Sequence, residues 1–158
     1  MQNPKDEYST YDSCLADGHI REVREINTDR ISSLMENAQI SIDSAKIVMK
    51  AIKQDAREWL SVYVSHYEAL RIYAEAFLSF DKVDISNHKC LFAYLCAKHP
   101  ELEFDWSFFE KIRTKRNGVN YYGDKASYED WKSAELQFNI YSSTIKKEIE
   151  KKLKELEK

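Results

Sequence analysis

The run Tyr63-Val64-Ser65-His66-Tyr67-Glu68-Ala69-Leu70-Arg71-Ile72-Tyr73-Ala74-Glu75-Ala76-Phe77-Leu78 decides the fold. With Leu60 added, apolar side chains at Tyr63, Val64, Tyr67, Leu70, Ala74, Phe77 and Leu78 recur at intervals of three and four. That spacing lines them along one side of a helix. No Gly or Pro interrupts the run, so the sequence predicts one helix from about Ala56 to Phe80.

Upstream, Ile31, Leu34, Met35, Ala38, Ile42, Ala45, Val48, Met49 and Ile52 repeat the pattern behind Thr28 or Asp29, either a reasonable N-cap. The Gln54-Asp55 connection is short, so these two helices are expected to be antiparallel neighbours. Downstream, Asp81–Ile85 reads as a loop. Ser86 is a candidate cap for a short helix bearing Leu91, Phe92, Tyr94 and Leu95, with Pro100 just beyond it. Asp105 can cap a further helix with Trp106, Phe109, Ile112 and Val119, stopped at Gly123. Ser127-Tyr-Glu-Asp130 resembles a capping box. It opens a last helix with Trp131, Ala134, Phe138, Tyr141, Ile145, Ile149, Leu153 and Leu156. Lys146–Lys158, charged except for its apolar seam, is expected to project beyond the core or pack on a second subunit. Residues 1–27 are polar and aperiodic, with Tyr8, Tyr11 and Leu15 as anchors, and read as a tail. Residues 28–158 read as one all-α domain.

Composition agrees. Three Gly and two Pro in 158 residues disfavour a many-turned β architecture. The net charge of −3 is too small for wrapping nucleic acid or adhering to a membrane, so any polyanion binding must be local. No apolar run approaches the roughly 20 residues that span a bilayer. Cys14, Cys90 and Cys96 have no metal-ligand spacing, and an odd count argues against a disulfide framework. The opening Met1-Gln-Asn-Pro-Lys-Asp-Glu-Tyr8 lacks the basic and apolar regions of a signal peptide. A cytoplasmic location is the expectation.

One stretch breaks the helical pattern: Arg113-Thr-Lys-Arg116-Asn117-Gly-Val-Asn120-Tyr121-Tyr122-Gly123. From Lys111 to Lys125 five cations face only Asp124, a local net charge of +4. Arg113, Arg116 and Asn120 are three and four apart and share one helix face, which continues the stripe of Trp106 and Phe109. Asn117 and Gly118 in mid-helix lower propensity and would permit a bend bringing Tyr121 or Tyr122 toward Arg116. A cationic, amide-rich spot on an acidic chain suggests a phosphate site. Against this stands a solvated helix end whose cations complement the dipole. Elsewhere no Gly-rich phosphate loop occurs, and His19, His66, His88 and His99 are too scattered for a zinc or di-iron site. No metal or other cofactor is expected. His66 reads as a structural histidine, His88 as a surface one, and the ten tyrosines mainly as core.

The run from Tyr63 to Leu78, the Ser86-Asn-His88-Lys89 start and Arg116-Asn117-Gly-Val-Asn-Tyr121-Tyr122-Gly123 together resemble the HEPN domain, the higher-eukaryote and prokaryote nucleotide-binding fold. The likeness covers about Asp29 to Leu153. The family's hallmark is an Arg, four to six residues, then a His, often with a polar residue after the Arg. Arg116 and Asn117 match its opening, while Tyr121 or Tyr122 stands where the His belongs. The resemblance implies an antiparallel four-helix up-and-down bundle with an extra short helix, homodimerisation, and RNA or nucleotide binding. It also implies a toxin–antitoxin setting or a small nucleotidyltransferase partner, which in such families can modify a tyrosine near the motif. In active members the Arg polarises phosphate and the His performs acid–base chemistry on a ribose 2′-OH.

Carried over, Arg116 with Tyr121 and Tyr122 forms the catalytic set, and Arg113, Arg116, Asn117 and Asn120 the phosphate-binding set. A tyrosine, with an ordinary pKa of about 10 against about 6.5 for histidine, is a poor substitute base. A binding module is therefore favoured over an active metal-independent endoribonuclease, and a purely structural dimer is the third reading. The two ligand readings look for Arg116 in a cleft with its guanidinium uncommitted, and a side chain taken up by an internal carboxylate counts against them.

Overall fold

The computed structural model describes residues 6–158. Among them are six α-helices: α1 (Glu7–Ala16), α2 (Thr28–Ala51), α3 (Trp59–Leu78), α4 (His88–Lys98), α5 (Trp106–Tyr122) and α6 (Tyr128–Leu156). One antiparallel ladder, β1 (Ile20–Glu22) with β2 (Val83–Ile85), and two short 3-10 turns, Ser79–Asp81 and Pro100–Leu102, complete the described elements. The protein is mainly helical, as the apolar periodicity predicts.

α3 is the axis. Val62, Tyr63, His66, Tyr67, Ala69, Leu70, Tyr73, Ala74, Ala76, Phe77 and Leu78 are all buried, so the helix is covered on most sides rather than along one stripe. Ala69, Ala74 and Ala76 leave room for close neighbours, and α2, α4, α5 and α6 all pack on it. Each large side chain so buried stabilises by about 1.5–3 kcal/mol. α2 runs opposite to α3: Arg30 in its first turn meets Glu75 near the end of α3, and Gln39 accepts from the Tyr73 hydroxyl. α5 runs opposite to α6, with Phe108 on Phe138 and Phe104 on Tyr141. α2 buries only the narrow seam Ile31, Ala38 and Ala45, each seven residues from the next.

Three boundary expectations hold. Asp105 caps α5 by accepting from the Ser107 amide at 2.9 Å. Gly123 ends α5 in the left-handed region, φ 70°. The Ser127–Asp130 capping box is complete. The caps of α2 and α4 are instead Asn27, just before the expected Thr28 or Asp29, and Asn87, one residue after the expected Ser86. α6 stays on the body as far as Leu153, with Ile149 buried and Lys152 over the rings of Phe77 and Phe80, while residues 154–158 are exposed.

The N-terminal reading is corrected. Residues 1–5 lie outside the described residues, but α1 and β1 occupy much of what the sequence marks as tail. Asp6 caps α1, Tyr11 packs on Tyr94, and Cys14 is bonded to Cys90. An odd cysteine count leaves room for one bond, and Cys96 is the spare, buried in α4. The bond links positions 76 residues apart, a closure worth roughly 4 kcal/mol. It also removes one ground for the cytoplasmic expectation. No helix among the described residues is long and apolar enough to cross a membrane. The β1–β2 pair, with Ile20 opposite Ile85, replaces the expected loop; three-residue strands are too short to show alternation.

A second fastening closes the far end of α4. His99 Nε2 lies 2.6 Å from Asp81 Oδ2 and Nδ1 lies 2.9 Å from Glu101 Oε1, with the imidazole against Phe77. Burial alone would lower the His99 pKa, but the bonds and charges of Asp81 and Glu101 raise it above its ordinary 6.5. Burial would raise the Asp81 pKa, yet His99 brings it below 3.8. The pair therefore contributes fully between those limits. Its contribution is lost as pH rises through the raised histidine value, or falls through the lowered carboxyl value. The stability difference between wild type and His99→Gln, on the order of 1 kcal/mol, should be largest near pH 5.5 and shrink above pH 6.5. Urea titrations across pH check this; a difference that grows with alkalinity contradicts it.

Candidate anion site

Between the start of α4 and the middle of α5 lies a hollow of about 420 Å³, walled by Asn87, His88, Lys89, Arg113, Arg116 and Asn117, with Ser86 and Tyr121 at its edge. Its lining carries three cations and no carboxylate. Two helices position it. Asn87 caps α4, its side chain accepting from the Cys90 amide at 2.8 Å, which leaves the first-turn amides of His88 and Lys89 without intrahelical partners. Such a terminus favours negative charge. α5 supplies the arginines from successive turns of one face.

Arg116 is in the cleft, with its side chain 17% exposed, but it is not uncommitted. Nη2 stands 3.3 Å from Glu68 Oε1, and the guanidinium lies over the Tyr67 ring, 5.7 Å from its centre. With its amide oxygen turned toward the guanidinium, Asn120 accepts from Nε at 3.0 Å and Nη2 at 3.2 Å. Asn117 accepts from Nη1 at 3.5 Å. Glu68 is itself shared, since Arg71 Nε donates to its other oxygen at 2.9 Å. Arg71 also donates to Glu75 at 3.1 Å, and Glu75 accepts from Arg30 at 2.6 Å. The result is a chain of alternating charges: Arg30, Glu75, Arg71, Glu68, Arg116. Three guanidiniums and two carboxylates leave a net charge of +1, and the link to Arg116 is the longest of the four. Arg113 is held more firmly, donating twice to Glu110 at 2.9 and 3.0 Å.

The expected bend in α5 is absent. The helix continues through Asn117 and Gly118 to Tyr122. Gly118 lies against Asp124 instead: a Cβ there would meet the Asp124 carboxylate, and the Asp124 amide donates to the Gly118 carbonyl at 3.0 Å. Tyr121 and Tyr122 accordingly stay in solvent, 71% and 82% exposed, rather than turning onto Arg116.

Histidine enters from another helix. His88, expected at the surface, is half-buried at the first position of α4, with Nδ1 3.0 Å from the Tyr67 hydroxyl. Burial first, then the charges of Arg71 and Arg116, lower its pKa below 6.5, so it is neutral at pH 7. A phenol is a stronger acid than a neutral imidazole N–H, so Tyr67 donates and Nδ1 accepts, which leaves the ring proton on Nε2. Sequence reasoning missed this pairing because the two residues are 21 apart on different helices. The one signal was that His88 directly follows an Asn able to cap. His66, by contrast, is structural as expected: buried, its Nδ1 donating to the Val62 carbonyl at 2.8 Å, its ring on Trp131.

A larger hollow, about 790 Å³, lies between α5 and the start of α6. There Lys111 and Lys115 face four carboxylates, Asp6, Glu110, Asp124 and Asp130, and Lys115 is paired with Asp130 at 3.2 Å. Its charge is wrong for an anion, so size does not decide the choice. Among the described residues no cluster of His, Cys, Asp and Glu is placed to hold a metal ion. Comparison of the chain with protein-family models, curated proteins and solved structures gave no match.

The tautomer is directly checkable. Nitrogen-15 spectra at pH 7.5 should show His88 with an acceptor-type Nδ1 and a protonated Nε2, and Tyr67→Phe should mix the two forms. A protonated Nδ1 in the wild type contradicts the assignment.

Proposed function

We propose that the protein binds the phosphate groups of RNA or a nucleotide in the Arg116 hollow, as a HEPN-type helical module. The observation that carries this reading is a lining of Lys89, Arg113 and Arg116 without a carboxylate, set against the open start of α4. The residue likeness to the family supports it, as do the antiparallel pairs α2–α3 and α5–α6, with the short helices α1 and α4 beside them. Arg116 would exchange its long contact with Glu68 for a phosphate oxygen, Glu68 remaining neutralised by Arg71. Tyr121, which lines the hollow and is largely exposed, offers a stacking face for a base rather than proton chemistry. Homodimerisation, a toxin–antitoxin setting and a nucleotidyltransferase partner belong to the proposal through the family likeness alone.

A second reading, metal-independent RNA cleavage, is favoured by His88. A neutral imidazole in the same hollow as Arg116 supplies the base that the Tyr121 and Tyr122 positions lack. It would take the 2′-OH proton at Nδ1, the Tyr67 hydroxyl giving up its bond to that nitrogen, while the 2′ oxygen attacks phosphorus, the P–O5′ bond breaks to leave a 2′,3′-cyclic phosphate, the departing 5′ oxygen takes a proton from water, and Arg116 balances the developing charge.

Fluorescence anisotropy with a labelled oligouridylate tests both readings. Affinity should fall with salt at a log–log slope of about −2, as for two or three contacted phosphates. It should drop roughly tenfold or more in Arg116→Ala, and rise as pH falls below 6.5 in wild type but not in His88→Gln. Salt-insensitive binding, or equal binding by Arg116→Ala, rules the anion site out. Cleavage of the oligouridylate in chelator, lost in both Arg116→Ala and His88→Ala, selects the second reading; intact RNA selects the first.

A further inference from the structure

The segment Asn87–Lys89, one wall of the Arg116 hollow, is also where the N-terminal arm is fastened to the body. Cys14 is bonded to Cys90, one residue beyond Lys89. His19 Nδ1 lies 2.8 Å from the Ser86 hydroxyl, and the Ser86 amide donates to the His19 carbonyl at 3.0 Å. Asn87 and Lys89 line a second hollow of about 270 Å³ on their other side, shared with Thr10, Cys14 and His19. The arm thus braces the turn that presents His88.

Noncovalent hold on α1 is confined to its face on α4, where Tyr11 packs on Tyr94 beneath Lys98. The ten-residue helix buries only Thr10 and Cys14, the Thr10 hydroxyl lacks a partner, and Tyr8 and Leu15 face solvent. A helix of that length does not persist by itself in water. The covalent bond therefore adds to Tyr11 on Tyr94 and to the β1–β2 ladder the one covalent restraint on its position.

On the anion-binding reading of the hollow, we infer that Cys14–Cys90 is a thiol–disulfide switch: reduction frees α1 from α4, loosens Asn87-His88-Lys89 and weakens phosphate binding at Arg116. The reductant is a dithiol. One of its thiolates attacks a sulfur of the pair, giving a mixed disulfide and releasing one cysteine thiolate. Its second thiol closes a new disulfide and releases the other cysteine. Two electrons and two protons pass to Cys14 and Cys90, and the dithiol leaves oxidised. Cys96 takes no part: burial pushes its thiol up to about 12, so it stays protonated and unreactive.

The test uses the full chain, oxidised and after dithiothreitol, with thiol titration confirming reduction. Hydrogen exchange and oligouridylate affinity are measured on both forms. Reduction should strip protection from residues 7–16, speed exchange at 86–92, and weaken affinity by about tenfold. Cys14→Ser should behave as the reduced form with or without dithiothreitol. Unchanged protection of residues 7–16 overturns the release, as does a bond that resists dithiothreitol in the folded chain. Protection lost with affinity unchanged overturns the coupling and leaves the anion site standing. No binding by the oxidised form overturns the anion site and the coupling together, while exchange still reports on the arm.

Discussion

The rest of the structure depends on how α3 disposes of its charges. A helix surrounded by neighbours leaves little solvent for polar groups, and Glu68, Arg71 and Glu75 lie on its partly open side, half-buried. Half-buried carboxylates and guanidiniums are stabilised when they pair with one another. Arg71 satisfies both glutamates of its own helix, and Arg30 and Arg116 arrive from α2 and α5 to complete the chain. Because that chain both begins and ends in arginine, it carries an uncancelled positive charge. Its weakest link lies at the hollow. The same pairing that neutralises the charges of α3 thus sets the Arg116 guanidinium, held by Glu68, Asn120 and Asn117, in the wall of the hollow.

Around that guanidinium the site is assembled from three helices. α3 contributes Tyr67, whose ring underlies Arg116 and whose hydroxyl holds His88. α4 contributes its open first turn, and α5 the arginines. None of these parts works alone. An exposed arginine pair is screened to near irrelevance, and a helix terminus attracts anions only weakly. Convergence, with the lining free of carboxylates, is what separates this hollow from the larger one beside α6.

How much of this was legible in the sequence follows from range. Elements built on local rules were readable: the intervals of three and four in α3 and α6, Asp105 and Gly123 bounding α5, the box at Ser127. Arg113, Arg116, Asn117 and Asn120 were readable as one cluster for the same reason, being neighbours on one helix. What depended on distant partners was not. Glu68 claiming Arg116, Tyr67 orienting His88, and Cys14 reaching Cys90 each link different elements. Gly118 misled because a glycine in mid-helix signals a kink as readily as a close approach, and Asp124 supplied the approach. α1 escaped notice because a helix held by a covalent bond needs no apolar stripe.

The most direct measurement is the oligouridylate affinity of Glu68→Gln, which keeps the side chain's size and removes one negative charge from the chain of pairs. If Arg116 is a restrained anion ligand, its release should tighten binding by about three- to tenfold while circular dichroism shows the helices intact. Unchanged or weaker binding in a folded Glu68→Gln protein would mean that Arg116 serves only to tie α5 to α3.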